Sequence, residues 1–190
     1  MERRRIEDQT FKAQDYTQKG FPSATYENCQ FVQCSFAACN LTNLSFVDCT
    51  WEDCDFSNAK LANTGFKDVS FLRCKLLGLD FKDCNPFLLQ LQFEDCQLQF
   101  ASFYQLSLKN TLFQNCKLNA VDFVEANLTQ ATFADCDLSD ATFANTNLSG
   151  TDFSTAMHYA FDPAENQVRK AQFSKDGLAG LLSKYDLVIH

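Results

Sequence analysis

The chain has 190 residues, 46% of them hydrophobic and 14% aromatic, and a formal net charge of −8. That length suits one domain with a sizeable core, and the acidic balance disfavours a nucleic-acid-binding surface. Phe reaches 20 while Gly, Pro and Met number 6, 3 and 2, which excludes a low-complexity tail, and no apolar run is long enough to span a membrane.

In chain order, Met1-Glu2-Arg3-Arg4-Arg5-Ile6 leads into polar residues without the apolar segment of a secretory signal, so a cytoplasmic location is expected. Ring residues then recur every five positions at Phe11, Tyr16, Phe21 and Tyr26. Two residues before a centre the slots hold Gln14 and Lys19, so residues 1–20 are expected to cap the first layer. A regular block follows at Phe31, Phe36, Leu41, Phe46, Trp51, Phe56, Leu61, Phe66, Phe71, Leu76 and Phe81. The next centre falls on Pro86, and the period resumes at Leu88 and Phe93. Asn85-Pro86-Phe87 is therefore the expected bulge or short loop. Over residues 93–153 every fifth residue is alternately Phe and Leu. Neither a helix nor an ordinary strand has a period of five; a fixed short repeat points to a solenoid whose units bury their apolar faces on one another.

The ten cysteines give the size of one coil. All sit two residues before a centre or a due centre, in a slot otherwise filled by small residues such as Ala59, Thr64, Ala101 and Ala131. Cys34, Cys54 and Cys74 are spaced by twenty, as are Cys96, Cys116 and Cys136; the step between the two sets is twenty-two, twenty plus two inserted residues. Four quintets per coil place these six on one ladder and stack Phe on Phe and Leu on Leu. The fold expected is all-β, a four-sided β-helix about 30–35 Å long. Thiols in these slots act as small buried hydrophobes rather than as disulfides or metal ligands, and His158 and His190 lie outside the array; no metal and no cofactor are expected.

After Phe153 the pattern changes, with Asp162-Pro163 as a break. Leu178, Leu181, Leu182 and Tyr185 follow i, i+3, i+4, i+7 behind a candidate N-cap at Ser174, an amphipathic helix weakened by Gly177 and Gly180. Leu187-Val188-Ile189 reads as a strand-like piece. Residues 157–190 have two open roles: sealing the end of the β-helix, or pairing with the same segment of a second molecule in a homodimer.

No catalytic constellation is present: no phosphate-cradling loop, no nucleophile elbow, and no zinc-type His/Glu or Cys pair, so no enzymatic activity is expected. Charge is unevenly spread. Residues 118–160 contain Asp122, Glu125, Asp135, Asp137, Asp140 and Asp152 but no Lys or Arg. On a twenty-residue coil, Asp135, Asp137, Asp140 and Asp152 fall on two adjacent faces, while the face of Leu128 and Leu148 has no acid. This one-sided negative field suits a basic protein surface, and it also keeps a long rod soluble.

The quintets Cys34-Ser35-Phe36-Ala37-Ala38, Ala126-Asn127-Leu128-Thr129-Gln130 and Cys136-Asp137-Leu138-Ser139-Asp140 resemble the A(D/N)LXX consensus of the pentapeptide repeat family, over residues 21–156. The resemblance implies a right-handed quadrilateral β-helix. The length, the break at Asn85-Pro86-Phe87, the close at Asp152-Phe153-Ser154 before Asp162-Pro163, and the Leu-rich tail are similar to the topoisomerase-associated branch. That branch includes Qnr-type quinolone-resistance proteins and the self-immunity proteins against microcin B and albicidin. The likeness implies a dimeric DNA mimic that binds DNA gyrase or topoisomerase IV, with Asp122, Glu125, Asp135, Asp137, Asp140 and Asp152 standing in for phosphates. The dimer would form through Leu178, Leu181, Leu182, Tyr185, Leu187, Val188 and Ile189, and no membrane or direct nucleic-acid contact is implied. Qnr-type proteins project larger loops than the two extra residues here. The alternative is a repeat scaffold for a partner unrelated to topoisomerases; an accessory domain of an enzyme is a third reading.

Overall fold

A computed structural model describes residues 4–185 and 187–188. Every strand pair is parallel, and partners are twenty residues apart except where Val69–Leu72 meets Leu91–Glu94, twenty-two apart. The chain is a right-handed quadrilateral β-helix of about eight turns.

Four faces can be followed by their pairing. Face A is a sheet of Arg5–Glu7, Thr25–Glu27, Ser45–Val47 and Gly65–Lys67, carried on by a column through Ser107, Asn127, Asn147 and Gln167. Face B is a nine-stranded sheet from Thr10–Lys12 to Gln172–Phe173. Face C is a column of single bridges through Asp15, Ser35, Asp55, Lys75, Gln97, Lys117, Asp137 and Met157, and face D runs through Asp80, Ser102, Asp122 and Thr142.

Because one coil is four quintets, like centres stack. Phe11, Phe31, Trp51, Phe71, Phe93, Phe113, Phe133, Phe153 and Phe173 form one continuous pile under face B, with successive centroids 4.9–5.5 Å apart. Phe81, Phe103, Phe123 and Phe143 pile under face D at 4.7–5.4 Å and meet the first pile edge-on. Offset and edge contacts of this kind add to the area that the rings bury.

The second inward slot is more than a space for small residues. All ten cysteines are buried and free. The Cys74 thiol is 3.4 Å from the Trp51 carbonyl one coil back, and Cys136 is 3.3 Å from that of Phe113. Thr64, Thr146 and Thr151 occupy equivalent slots and donate to Leu41, Phe123 and Leu128 at 2.8–2.9 Å. Where the slot holds Cys or Thr, a side-chain donor can tie adjacent coils; elsewhere Ala, Val or Leu fill it, as at Ala59, Val69, Leu79 and Ala101.

Three details differ from the sequence expectation. The extra pair of residues is not at Asn85-Pro86-Phe87. The Asn85 side chain accepts from the Phe87 N–H at 2.9 Å, as Asx residues do in other quintets, and Leu88 takes the left-handed conformation that ends a quintet (φ 57°). Leu88 is exposed, and the inserted residues are Leu89 and Gln90, of which Leu89 packs on the core. Second, coil geometry extends beyond residues 21–156. Arg5–Glu7 pairs with Thr25–Glu27, and Gln172–Phe173 pairs with Asp152–Phe153, because Ile6, Val168 and Phe173 keep the twenty-residue spacing where the quintets between them have lost their signature. Third, the tail is a 3₁₀ segment, Asp176–Tyr185, rather than an α-helix. The Ser174 Oγ accepts from the Gly177 N–H at 3.0 Å, as its N-cap position predicts. Gly177 and Gly180 lie against Tyr159 so closely that a Cβ would come within 2.0 Å of its hydroxyl and 1.9 Å of its carbonyl. The glycines that weaken an α-helix here allow the tail to lie flat on the last coil.

Candidate protein-binding surface

The outward positions are organised by turn chemistry. The residue two places after most centres closes the corner with positive φ; of 26 non-glycine residues with positive φ among those described, fourteen are Asn or Asp, which enter the left-handed region most cheaply. Where Asp or Asn precedes a centre, its side chain commonly accepts from the backbone N–H two residues on. Asp122 does so from Val124 at 2.9 Å, Asp137 from Ser139 at 3.1 Å and Asp152 from Ser154 at 2.8 Å, as Asn127 and Asn147 do elsewhere. The repeat's preference for Asp or Asn at this place thus reflects a turn bond these side chains can make, while Lys75, Gln97 and Lys117 hold the same place on face C without it.

The six acids fall into two kinds. Asp122, Asp137 and Asp152 are half-buried turn acceptors on faces D, C and B; Glu125, Asp135 and Asp140 are exposed corner residues with positive φ at Glu125 (58°), Asp135 (52°) and Asp140 (59°). Asp135 and Asp137 come together in a shallow groove between faces B and C that also includes Asp95, Asn115, Lys117 and Met157. Glu125 accepts from Gln105 Nε2 at 2.7 Å and from the Tyr104 hydroxyl at 3.3 Å. Asp122 and Glu125 belong to face D, so the acids occupy three faces and the corners between them, while face A is acid-free from Ser107 to Gln167.

Asp137 is the most heavily engaged. Its carboxylate accepts from Asn119 Nδ2 at 2.7 Å and from the Ser139 hydroxyl at 2.7 Å, and lies 2.9 Å from His158 Nδ1. Partial burial by itself raises its pKa, but the bonds from Ser139, His158 and Asn119 outweigh burial and hold the group well below the usual carboxylate range. It is ionised at every physiological pH. Spacing along the chain does not mark Asn119 or His158 as its partners, because they join it only when coils stack.

Phe87 and Leu88 are 75% and 53% exposed where face A passes the inserted pair. In the tail, Leu178, Leu182, Tyr185, Leu187 and Val188 are exposed, and Leu181 packs on the core; Ile189 lies outside the described residues. A Lys184–Asp162 ion pair ties the tail to the last coil. No described helix is long and apolar enough to cross a membrane.

No curated protein sequence matches the chain. HetL, a pentapeptide repeat protein involved in heterocyst differentiation regulation from the cyanobacterium Nostoc sp. strain PCC 7120, superposes with a TM-score of 0.61 at 14% identity, over 92% of this chain and 88% of that one. QnrB1, a plasmid-mediated fluoroquinolone resistance protein, aligns over 98% of this chain and all of its own in trypsin-treated form, with 17% identity and a TM-score of 0.49. The HetL likeness is one of fold. The sequence profile of the pentapeptide repeat region matches residues 45–123 and 87–157, more than half of the chain. Together with twenty-residue coils of four quintets, that match makes this chain a member of the pentapeptide repeat family.

Proposed function

We propose that this protein is a non-enzymatic DNA mimic that binds the DNA-binding surface of a type II topoisomerase, DNA gyrase or topoisomerase IV, and modulates it or shields it from a toxin or drug. The observation that carries the reading is the acid belt: six carboxylates spread over faces B, C and D of a rigid coil, within a stretch of 43 residues (118–160) that has no Lys or Arg. The turn bonds of Asp122, Asp137 and Asp152 hold those charges in place without neutralising them. Fixed negative charge on a rod competes for the Lys and Arg that grip a phosphate backbone, with little ordering cost on binding. The array's tail and mid-array break, which resemble the topoisomerase-associated branch, supply the choice of enzyme.

A second reading is a scaffold for a partner unrelated to topoisomerases. It is favoured by the dual role of Asp122, Asp137 and Asp152, whose carboxylates accept turn bonds whatever the rod binds.

The test is a supercoiling and cleavage assay with purified gyrase, with and without a quinolone. Wild-type protein is expected to change supercoiling or drug-induced cleavage at micromolar concentration. The double variant Asp135→Lys/Asp140→Lys is expected to lose at least about 10-fold in potency, because like charges would then face each other. Arg73 and Lys170 already adopt the same left-handed corner conformation, so these substitutions leave the coil intact. Wild-type protein without effect on either readout would overturn the topoisomerase reading and leave the scaffold reading.

A further inference from the structure

We infer that Phe100 is the apolar anchor through which faces C and D seat on a basic protein surface that contains an apolar pocket. The inference rests on the proposed topoisomerase reading, which it deepens by naming the residue that would be inserted. Phe100 closes the corner between faces C and D with φ 63°, and its side chain is 71% exposed. The same corner in neighbouring coils holds Asn58, Gly78, Ala120 and Asp140, all left-handed. Asn, Gly and Asp meet that conformation cheaply; a large ring there is a backbone outlier, and one that points into water returns nothing to the core. Gly78 below and Ala120 above offer no more than a methyl group beside the ring. Phe100 and Leu88 are the only large apolar residues with positive φ among those described, and Leu88 lies beside the inserted pair on the diagonally opposite corner.

The surroundings specify the partner's chemistry. Two coils beyond Phe100, the same corner column carries Asp140, and face D carries Asp122 and Glu125 in the next coil. In the coil before Phe100, faces C and D carry Lys75 and Lys82, the latter paired with Asp80; from Phe100 on to residue 165, Lys117 is the one Lys or Arg on these faces. An exposed ring with acids on its C-terminal side matches a pocket with Lys and Arg along that side of its rim, the ring being the buried hot spot and the carboxylates part of the polar rim. The phosphate surface of DNA offers neither feature, so the partner is a protein.

Phe100→Asn tests this, because Asn is the residue the corner prefers. Binding of the full-length variant to purified gyrase is measured by calorimetry, alongside its melting temperature. The expected result is an unchanged or higher melting temperature with affinity reduced at least about 10-fold. Equal affinity of variant and wild type would overturn the anchor while leaving the topoisomerase reading in place. A clear fall in melting temperature would make Phe100 a packing residue and equally overturn it. Absence of wild-type binding would overturn both readings together.

Discussion

Asp137 shows how one residue serves the turn, the coil stack and the surface field together. An Asx turn needs only an acceptor oxygen, which Asn127 and Asn147 supply in the same position. The charge is needed for something else: bonds from Asn119 and His158, which come from the neighbouring turns on either side. Asp137→Asn therefore keeps the turn and removes the charged acceptor. The carboxyl's folded pKa is depressed, so its stabilisation is fully present above the unfolded value of about 3.9 and is lost as pH falls through the folded one. With the side chain one-third exposed, solvent screens much of the effect, and the loss at pH 7 is expected to be about 1 kcal/mol. Thermal melts should show the wild type above the variant at pH 7 and the gap narrowing steadily from pH 4 to pH 2. A gap independent of pH would mean the ionised form contributes nothing.

At the scale of the quintet, most of the architecture could be read from spacing. The cysteine ladder fixed four quintets per coil, and the rings stack as that count requires, at 4.9 Å for Phe113 on Phe133. What spacing did not reveal was donor chemistry and the exact place of the insertion. Cys and Thr look like interchangeable small residues in a list, yet in the coil most of them reach a carbonyl of the preceding turn, as Cys116 does to Phe93 at 3.6 Å and Thr151 to Leu128 at 2.8 Å. Leu88 lies five residues before Phe93 and so mimics a centre, but the local bond from Phe87 N–H to Asn85 keeps the quintet whole and pushes the surplus to Leu89 and Gln90. Local hydrogen bonding overrode apolar periodicity there. For the binding surface, the sequence located the acids and their faces but could not divide fixed turn acids from free corner acids, and it passed over Phe100, which has no periodic signature. The slot's donor is testable. Cys116→Thr keeps a donor of similar size and should stay within about 1 kcal/mol of wild type in urea unfolding, whereas Cys116→Ala loses the bond and opens a small void, costing about 1–2 kcal/mol. If the alanine variant is as stable as the threonine variant, the slot selects size alone.

For the whole molecule, the two ends of the coil are not alike. The first coil places Gln9, Gln14 and Lys19 in slots that deeper coils fill with Cys, Ala or Thr. The Gln9 and Gln14 amides donate to the Glu7 and Lys12 carbonyls at 3.1 and 2.8 Å, the bonds that thiols make further in. Polar residues in these slots discourage another strand edge from adding at that end. The other end has the opposite character: Leu178, Leu182, Tyr185, Leu187 and Val188 leave a run of apolar side chains exposed on a tail held down by Gly177 and Gly180 against Tyr159. Self-association is therefore proposed at the C-terminal end, tail against tail about a two-fold axis, which would double the length of the rod and carry an acid belt on each half. Light scattering should then give twice the 21.5 kDa chain mass at micromolar concentration. Leu182→Glu with Val188→Asp places charges in the apolar run, away from the Tyr159 contact, and should return the chain mass without lowering the melting temperature of the coil. If the wild type is already a monomer under those conditions, the tail only seals the coil, and any topoisomerase would have to be engaged by a single rod of about eight turns.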